Sequence, residues 1–231
     1  MKTAPAGLDL VLAYLRDLEA NNDREWYAAH KAERLAAEAQ FESLISAIQD
    51  GVATFAPGAS SYQPSSLTFK LQRDTRFSKD KSPYNPTFRA HIGPAGKVFI
   101  PMGPYLAVRA GNRSILGGGM FAHMFSDATR RIRDALVAQP KRWLSVVDNL
   151  GMPVMGEALK NVPKGYPADH PCAQHLKNKS WYTEIPITDK HLVGEGFVNW
   201  AIEMFAAMQP LNDFLNEALT DFQMPKRQTN H

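Results

Sequence analysis

The sequence predicts an α+β fold: a central antiparallel sheet over about residues 65–110, packed by N-terminal and C-terminal helices. Three observations carry that expectation. Apolar residues recur at helical spacing at both ends of the chain, the middle alternates apolar with polar between turn residues, and the order is helices, strands, helices rather than repeated βαβ units. A hydrophobic fraction of 44% and a charged fraction of 21% over 231 residues suit a globular chain with a sizeable core. No linker-like shift in composition divides residues 1–231, so a single domain is expected.

Leu8, Val11, Leu12, Leu15 and Leu18 define a first amphipathic helix over 8–20. Asn22 followed by Glu25 resembles a capping box for a second helix running from about Asp23 to Asp50, with Phe41, Leu44, Ile45 and Ile48 on its late apolar face. The stretch GVATFAPGASSYQPSS has loop composition. SLTFKLQRDTRF then alternates, with Leu67, Phe69 and Leu71 on one face and Thr68, Lys70 and Gln72 on the other. PTFRAHIG and PYLAVRAG are further strands, GPAGK is a turn, and KVFIPMG is a strand weakened by Pro101. GNRSILGGGM is expected to be a Gly-rich loop leading into a helix that uses Phe121, Met124, Phe125, Ala128, Ile132, Ala135 and Leu136. A short helix starts at Pro140, and Asp169 is placed to cap a helix reaching about Lys179. WYTEIPIT is a strand. Phe197, Trp200, Ala201, Met204, Phe205 and Met208 face one way on the next helix, and Pro210 is expected to start or kink the last one.

Several function classes lack support. No apolar run approaches the eighteen or so residues needed to span a bilayer, so no membrane association is expected. The N-terminal stretch has no signal-peptide apolar region, being interrupted by Asp9, Arg16 and Asp17. Cys172 is the single cysteine, which excludes an intrachain disulfide and a cysteine metal cluster and fits a cytoplasmic, reducing location. The seven histidines show no metal-binding spacing, so no metal site is expected. No nucleophile elbow is present. The residues specify neither a cofactor nor a reaction type.

Charge is concentrated in one place. Residues 67–91 carry six Lys and Arg against two Asp, a net of +4, whereas the other 206 residues carry 20 basic against 21 acidic. The formal charge of +3 therefore originates in this stretch. Continuing the alternation past Leu71 puts Arg73 at the end of the inward face and Asp74 and Arg76 together on the polar face. Asp74 is placed to hold Arg76. Arg73 needs a distant acid, or else the strand bulges or ends near 73–74. SKDKSPYNP is turn chemistry that carries Lys79 and Lys81, and Tyr84 supplies a phenol or a stacking ring.

RDTRFSKDKSPY resembles the signature of the domain of unknown function 2461 family, a family of bacterial conserved hypothetical proteins, whose pattern is roughly R-x-x-R-D-x-R-F-S-K-[D/N]-K-x-P-Y. Arg73, Asp74, Arg76, Phe77, Lys81 and Tyr84 fill it, and Lys70 stands where the family usually has the first Arg. NNDREWYAAHKAER, LGGGM and LKNVPKGYPADHPCAQHLKNKS are further blocks similar to the family, so the resemblance spans most of the chain. It implies no function.

The residues leave three readings open. In the first, Arg73, Arg76 and Lys81 hold a small phosphate- or carboxylate-bearing ligand, Asp74 orients Arg76 and Tyr84 touches the ligand, with Lys79, Arg113 and Lys164 as secondary candidates. In the second, the same cluster docks RNA or an acidic protein surface, RNA being the weaker case because the cluster is short and lacks interleaved aromatics. In the third, Arg73, Asp74 and their neighbours form an internal ion-pair network and function lies elsewhere. GGGM ahead of a helix offers backbone N–H groups to an anion, or is a plain turn.

Overall fold

The computed structural model describes residues 8–121 and 125–224. Among them are nine α-helices and a four-stranded antiparallel sheet flanked by N- and C-terminal helices, an α+β architecture. The strands lie in the order β1 (Phe88–His91), β2 (Tyr105–Val108), β3 (Ser114–Met120), β4 (Trp181–Ile187). β1 pairs antiparallel with β2, Phe88 opposite Val108, and β2 with β3, Leu106 opposite Leu116. No helix among the described residues is long and apolar enough to cross a membrane. The backbone contacts divide the chain into two compact units.

The first unit comprises residues up to 97, 103–117 and 184–206. It begins with α1 (Leu8–Ala20), whose buried Val11, Leu15 and Leu18 recur every three or four residues as predicted. The second predicted helix is two. α2 (Arg24–Ala29) stops at His30, whose ring nitrogen bonds the Trp26 carbonyl at 2.8 Å and whose ring stacks on Trp26 at 4.0 Å. α3 (Lys31–Val52) then runs on and buries Phe41, Leu44, Ile45 and Ile48. The cap of α2 is Asp23, not Asn22: Asp23 accepts from the Trp26 backbone N–H at 2.8 Å. Asn22 instead donates to the Tyr84 carbonyl at 2.9 Å and accepts from the Tyr84 N–H at 3.0 Å. At the other end of α3, Gly51 packs closely on Ile202: a Cβ there would lie 2.2 Å from that side chain, which would have to shift.

The predicted strand over 67–77 is only partly realised. Pro64–Leu67 is a helical turn, α4, started by Pro64. From Thr68 the chain is extended but makes isolated bridges, Thr68 to Ala90 and Gln72 to Tyr84. Five residues on one side thus face seven on the other. The excess contains Pro86, which has no N–H to continue the ladder. KVFIPMG forms no strand either, and its Ile100–Pro101 peptide is cis. α8 (Asp189–Leu192) closes against the β2–β3 turn, Asp189 accepting from the N–H groups of Gly111 and Asn112 at 2.9 and 2.8 Å.

The second unit comprises 98–102, 118–183 and residues from 207 on. Its core is built from α5 (Ser126–Ala138), α6 (Pro140–Asn149), the short α7 (Ala173–Leu176) and the second half of α9 (Phe197–Ala218). Trp143 and Phe214, both buried, meet at 5.0 Å. Ala128, Ile132 and Leu136 are buried on α5 as predicted, whereas Phe121 and Phe125 precede it and Met124 lies outside the described residues. Asp169 caps no helix among the described residues; α7 starts at Ala173, with Cys172 in the N-cap position. Pro210 lies inside α9 and neither starts nor ends a helix.

The Gly-rich loop expected before α5 is strand β3. Gly118 packs against Asn212 and Met208, and Gly119, at φ +96°, leaves only 2.4 Å between a would-be Cβ and the Trp181 carbonyl. The glycines permit close backbone approach. The Gly119 N–H donates to the buried Asn212 side chain at 2.8 Å and is not presented to an anion.

Candidate functional site: a charged pocket beside the basic hairpin

Within the first unit, α3 and the segment 65–72 form the two walls of a pocket of about 500 Å³. Arg34, Glu38 and Glu42 are spaced by four and so share one stripe of α3, beside the buried Ala37 and Phe41. The facing wall is held in place from behind: Gln49 on α3 donates to the carbonyls of Ala59 and Tyr62 at 2.6 and 2.7 Å, fixing the loop that leads into α4. Lys70 and Gln72 project from that wall. Lys97 joins it by donating to the Thr68 carbonyl at 2.8 Å. Tyr27 of α2 closes one side, its hydroxyl accepting from Gln72 at 3.2 Å.

The charges on the two walls differ in kind. On α3, Arg34 donates to both oxygens of Glu38, at 2.9 and 3.0 Å, with its guanidinium 5.0 Å from the centre of the Tyr27 ring. Its Nε is buried and has no acceptor. Burial, aided by the Glu38 charge, pushes the Glu42 carboxyl above its ordinary value. Glu42 has no hydrogen-bond or ion-pair partner among the described residues. The hydroxyl of Tyr14, a buried neighbour of Tyr27, Arg34 and Glu38, is also unpartnered, and burial raises its pKa. On the facing wall the Lys70 ammonium is exposed and unpaired among the described residues, and Lys97 retains N–H groups beyond the one given to Thr68.

Six of the eight sequence-predicted residues, Arg73, Asp74, Arg76, Lys79, Lys81 and Tyr84, lie on the hairpin that continues this wall. The extended run ends at Arg73, whose N–H donates to the Pro83 carbonyl at 2.9 Å. Arg73 is ion-paired to Asp80, seven residues on and in the same loop, so its partner is local rather than distant. Asp74 does hold Arg76, accepting from its Nε at 3.0 Å and its Nη2 at 2.7 Å, which lowers the Asp74 pKa to about 2. Asp80 is held well below the usual carboxylate range, first by the Ser82 hydroxyl and N–H and then by Arg73. Lys81 donates to the Thr75 carbonyl at 3.0 Å, and Lys79 is exposed. Tyr84 is buried, with its ring stacked on Tyr27. The loop is thus an internally paired network, and an exposed one: the Arg76 and Asp74 side chains are 78% and 58% exposed.

Arg113 and Lys164 do not line the pocket. Arg113 sits on the β2–β3 turn, where it and Arg109 both bind Glu19 and hold that carboxyl at about 2. Lys164 is exposed on a turn of the second unit. Conversely, Tyr27, Arg34, Glu38, Glu42 and Lys97 were absent from the sequence-derived site. The four-residue spacing of Arg34, Glu38 and Glu42 was the available signal, but such a stripe also describes a solvated helix face, and only the wall over 65–72 makes it a pocket lining. Among the described residues no cluster of three or more His, Cys, Asp or Glu could hold a metal ion.

The family profile described as Conserved hypothetical protein (DUF2461) matches residues 10–214. No curated protein and no solved structure matches the chain.

Proposed function

The chain belongs to the DUF2461 family of conserved hypothetical proteins, and from that premise we propose that it binds, or acts on, a small phosphate- or carboxylate-bearing ligand in the pocket between α3 and residues 65–72. The observation that carries this reading is the contrast between two sets of cations. Arg73 and Arg76 are already engaged by Asp80 and Asp74, whereas Lys70, unpaired, and Lys97, half-engaged, line a pocket together with an Arg34 whose Nε lacks an acceptor. With Glu38 and Glu42 also present, the lining holds three cations against two carboxylates. Lys70, in place of the family's usual Arg, is a point charge suited to phosphate without requiring bidentate geometry.

The test is a thermal-shift panel of sugar phosphates, nucleotides, dicarboxylates and inorganic phosphate on the parent chain, Lys70→Ala, Lys97→Ala and Arg76→Ala. A ligand at a hundred times its dissociation constant stabilises by about 2.7 kcal/mol. The expected result is a shift in the parent and in Arg76→Ala that is lost in the two lysine variants. A panel without any shift in the parent removes the reading.

A second reading rests on Phe77. It is 96% exposed at the hairpin tip, 5.9 Å from the Arg76 guanidinium and followed by Lys79 and Lys81. An exposed ring among cations suits docking to RNA or to an acidic protein surface. Gel shifts with single-stranded RNA at rising salt test it: binding that falls steeply with salt and is lost in Phe77→Ala supports an RNA surface, and no shift at low salt removes it.

A further inference from the structure

We infer that the pocket's ligand is a polyhydroxylated organic anion, a sugar phosphate or a sugar acid, with its anionic group on Lys70 and Lys97 and its hydroxyls on Glu38 and Glu42. The inference rests on the anion-site reading above and narrows its ligand class.

The starting point is that the two lysines and the two carboxylates line one pocket without pairing with each other. Glu38 is paired within α3 to Arg34, and Glu42 is paired with nothing described. Neither carboxylate forms an ion pair with Lys70 or Lys97. Held apart from the acids, the lysines and the carboxylates are placed to address different parts of a third molecule. A dicarboxylate satisfies the lysine wall but brings nothing to donate to the carboxylates, and inorganic phosphate brings only the one or two acidic hydroxyls on its single phosphorus, too compact to reach from the lysines to both acids; the remaining charge of either is repelled by them. A ligand with hydroxyl groups supplies the donors that a carboxylate, being acceptor-only when ionised, requires.

The rings argue against a nucleobase. Tyr27 is stacked on Tyr84 at 3.8 Å and also carries the Arg34 guanidinium at 5.0 Å. Phe69 is approached by Arg89 at 5.4 Å and Lys97 at 6.0 Å. Phe41 and Phe88 are buried against each other at 5.3 Å. Base recognition by stacking needs an open ring face, and each of these rings already has a ring or cation partner.

The experiment is isothermal titration calorimetry of the full chain with five probes: inorganic phosphate, succinate, glucose 6-phosphate, gluconate and a nucleoside monophosphate. It is repeated on Glu42→Gln and Lys70→Met, each first checked for a parental melting curve. The expected result is that glucose 6-phosphate or gluconate binds at least about tenfold tighter than inorganic phosphate and succinate, an order of preference typical of one or two added charge-assisted hydrogen bonds. Which of the two is tighter separates the phosphate from the carboxylate source. Glu42→Gln should remove most of that preference without weakening inorganic phosphate, and Lys70→Met should weaken every anion. Equal affinity for the bare anions, a preference that survives Glu42→Gln, or tightest binding of the nucleoside monophosphate overturns this inference but leaves the anion site standing. No binding of any probe to the parent overturns both.

Discussion

The Tyr84 ring lies flat on the Tyr27 ring, with centroids 3.8 Å apart and planes 10° from parallel. Tyr84 ends the basic hairpin and Tyr27 walls the pocket, so this stack couples the most distinctive run of the sequence to the cavity beside it. Tyr84→Ala should cost about 3 kcal/mol in a urea melt, as removal of a buried aromatic does, and should weaken ligand binding. Tyr84→Phe keeps the ring and should keep both properties. Loss of binding in Tyr84→Phe as well would mean that the hydroxyl itself contacts the ligand.

The exposed Asp74–Arg76 pair should contribute almost nothing to stability. Both side chains face solvent, where pairing is screened and loses side-chain freedom. Asp74→Asn and Arg76→Ala should melt with the parent within experimental error. A clear drop in either would show that the loop depends on the pair for its fold.

Neighbouring residues Asn22 and Asp23 should separate by mechanism. Asp23→Ala removes the cap of α2, a loss of about 1 kcal/mol. Asn22→Ala removes two bonds to the Tyr84 backbone, 62 residues away, and should cost about 1–3 kcal/mol while altering Tyr84 rather than helix content. Hydrogen exchange reads the distinction: protection should fall at the Tyr84 amide in Asn22→Ala and in the first turn of α2 in Asp23→Ala.

Gly119→Ala should destabilise by about 1–3 kcal/mol, since φ is +96° and the added methyl would meet the Trp181 carbonyl. A chemical denaturation curve gives the value. Parental stability would require that strand β3 relax without loss of packing.

Mild acid should destabilise the fold through a buried histidine. Burial lowers the His91 pKa to about 4, opposed only in part by its bond to the Gly96 carbonyl. The unfolded chain, with an ordinary His pKa near 6.5, therefore binds a proton that the folded chain refuses. Stability from this group is complete above about pH 6.5 and is lost as pH falls toward 4, by about 2–3 kcal/mol. His175, also lowered by burial, adds in the same direction. Denaturant midpoints from pH 7 to 4 should show the decline, and His91→Gln should flatten most of it.

The sequence by itself determined the elements whose signals are local. α1 matches its predicted range because leucine spacing and burial coincide along one stripe. β1, β2 and β4 appear where β-branched and aromatic residues lie between turn residues, and Asp74 holds Arg76 because two residues of spacing suffice. Family membership was equally legible, since RDTRFSKDKSPY is long and specific. Tertiary structure decided what depends on distant partners. GGGM reads as a loop until β4 and Asn212 come close enough to require glycine at a strand position. Asn22 reads as a cap until Tyr84 claims its side chain. The pocket was hidden for the same reason: Arg34, Glu38 and Glu42 acquire a facing wall only when Gln49 pins the loop before α4, a contact that periodicity and composition along one segment do not encode.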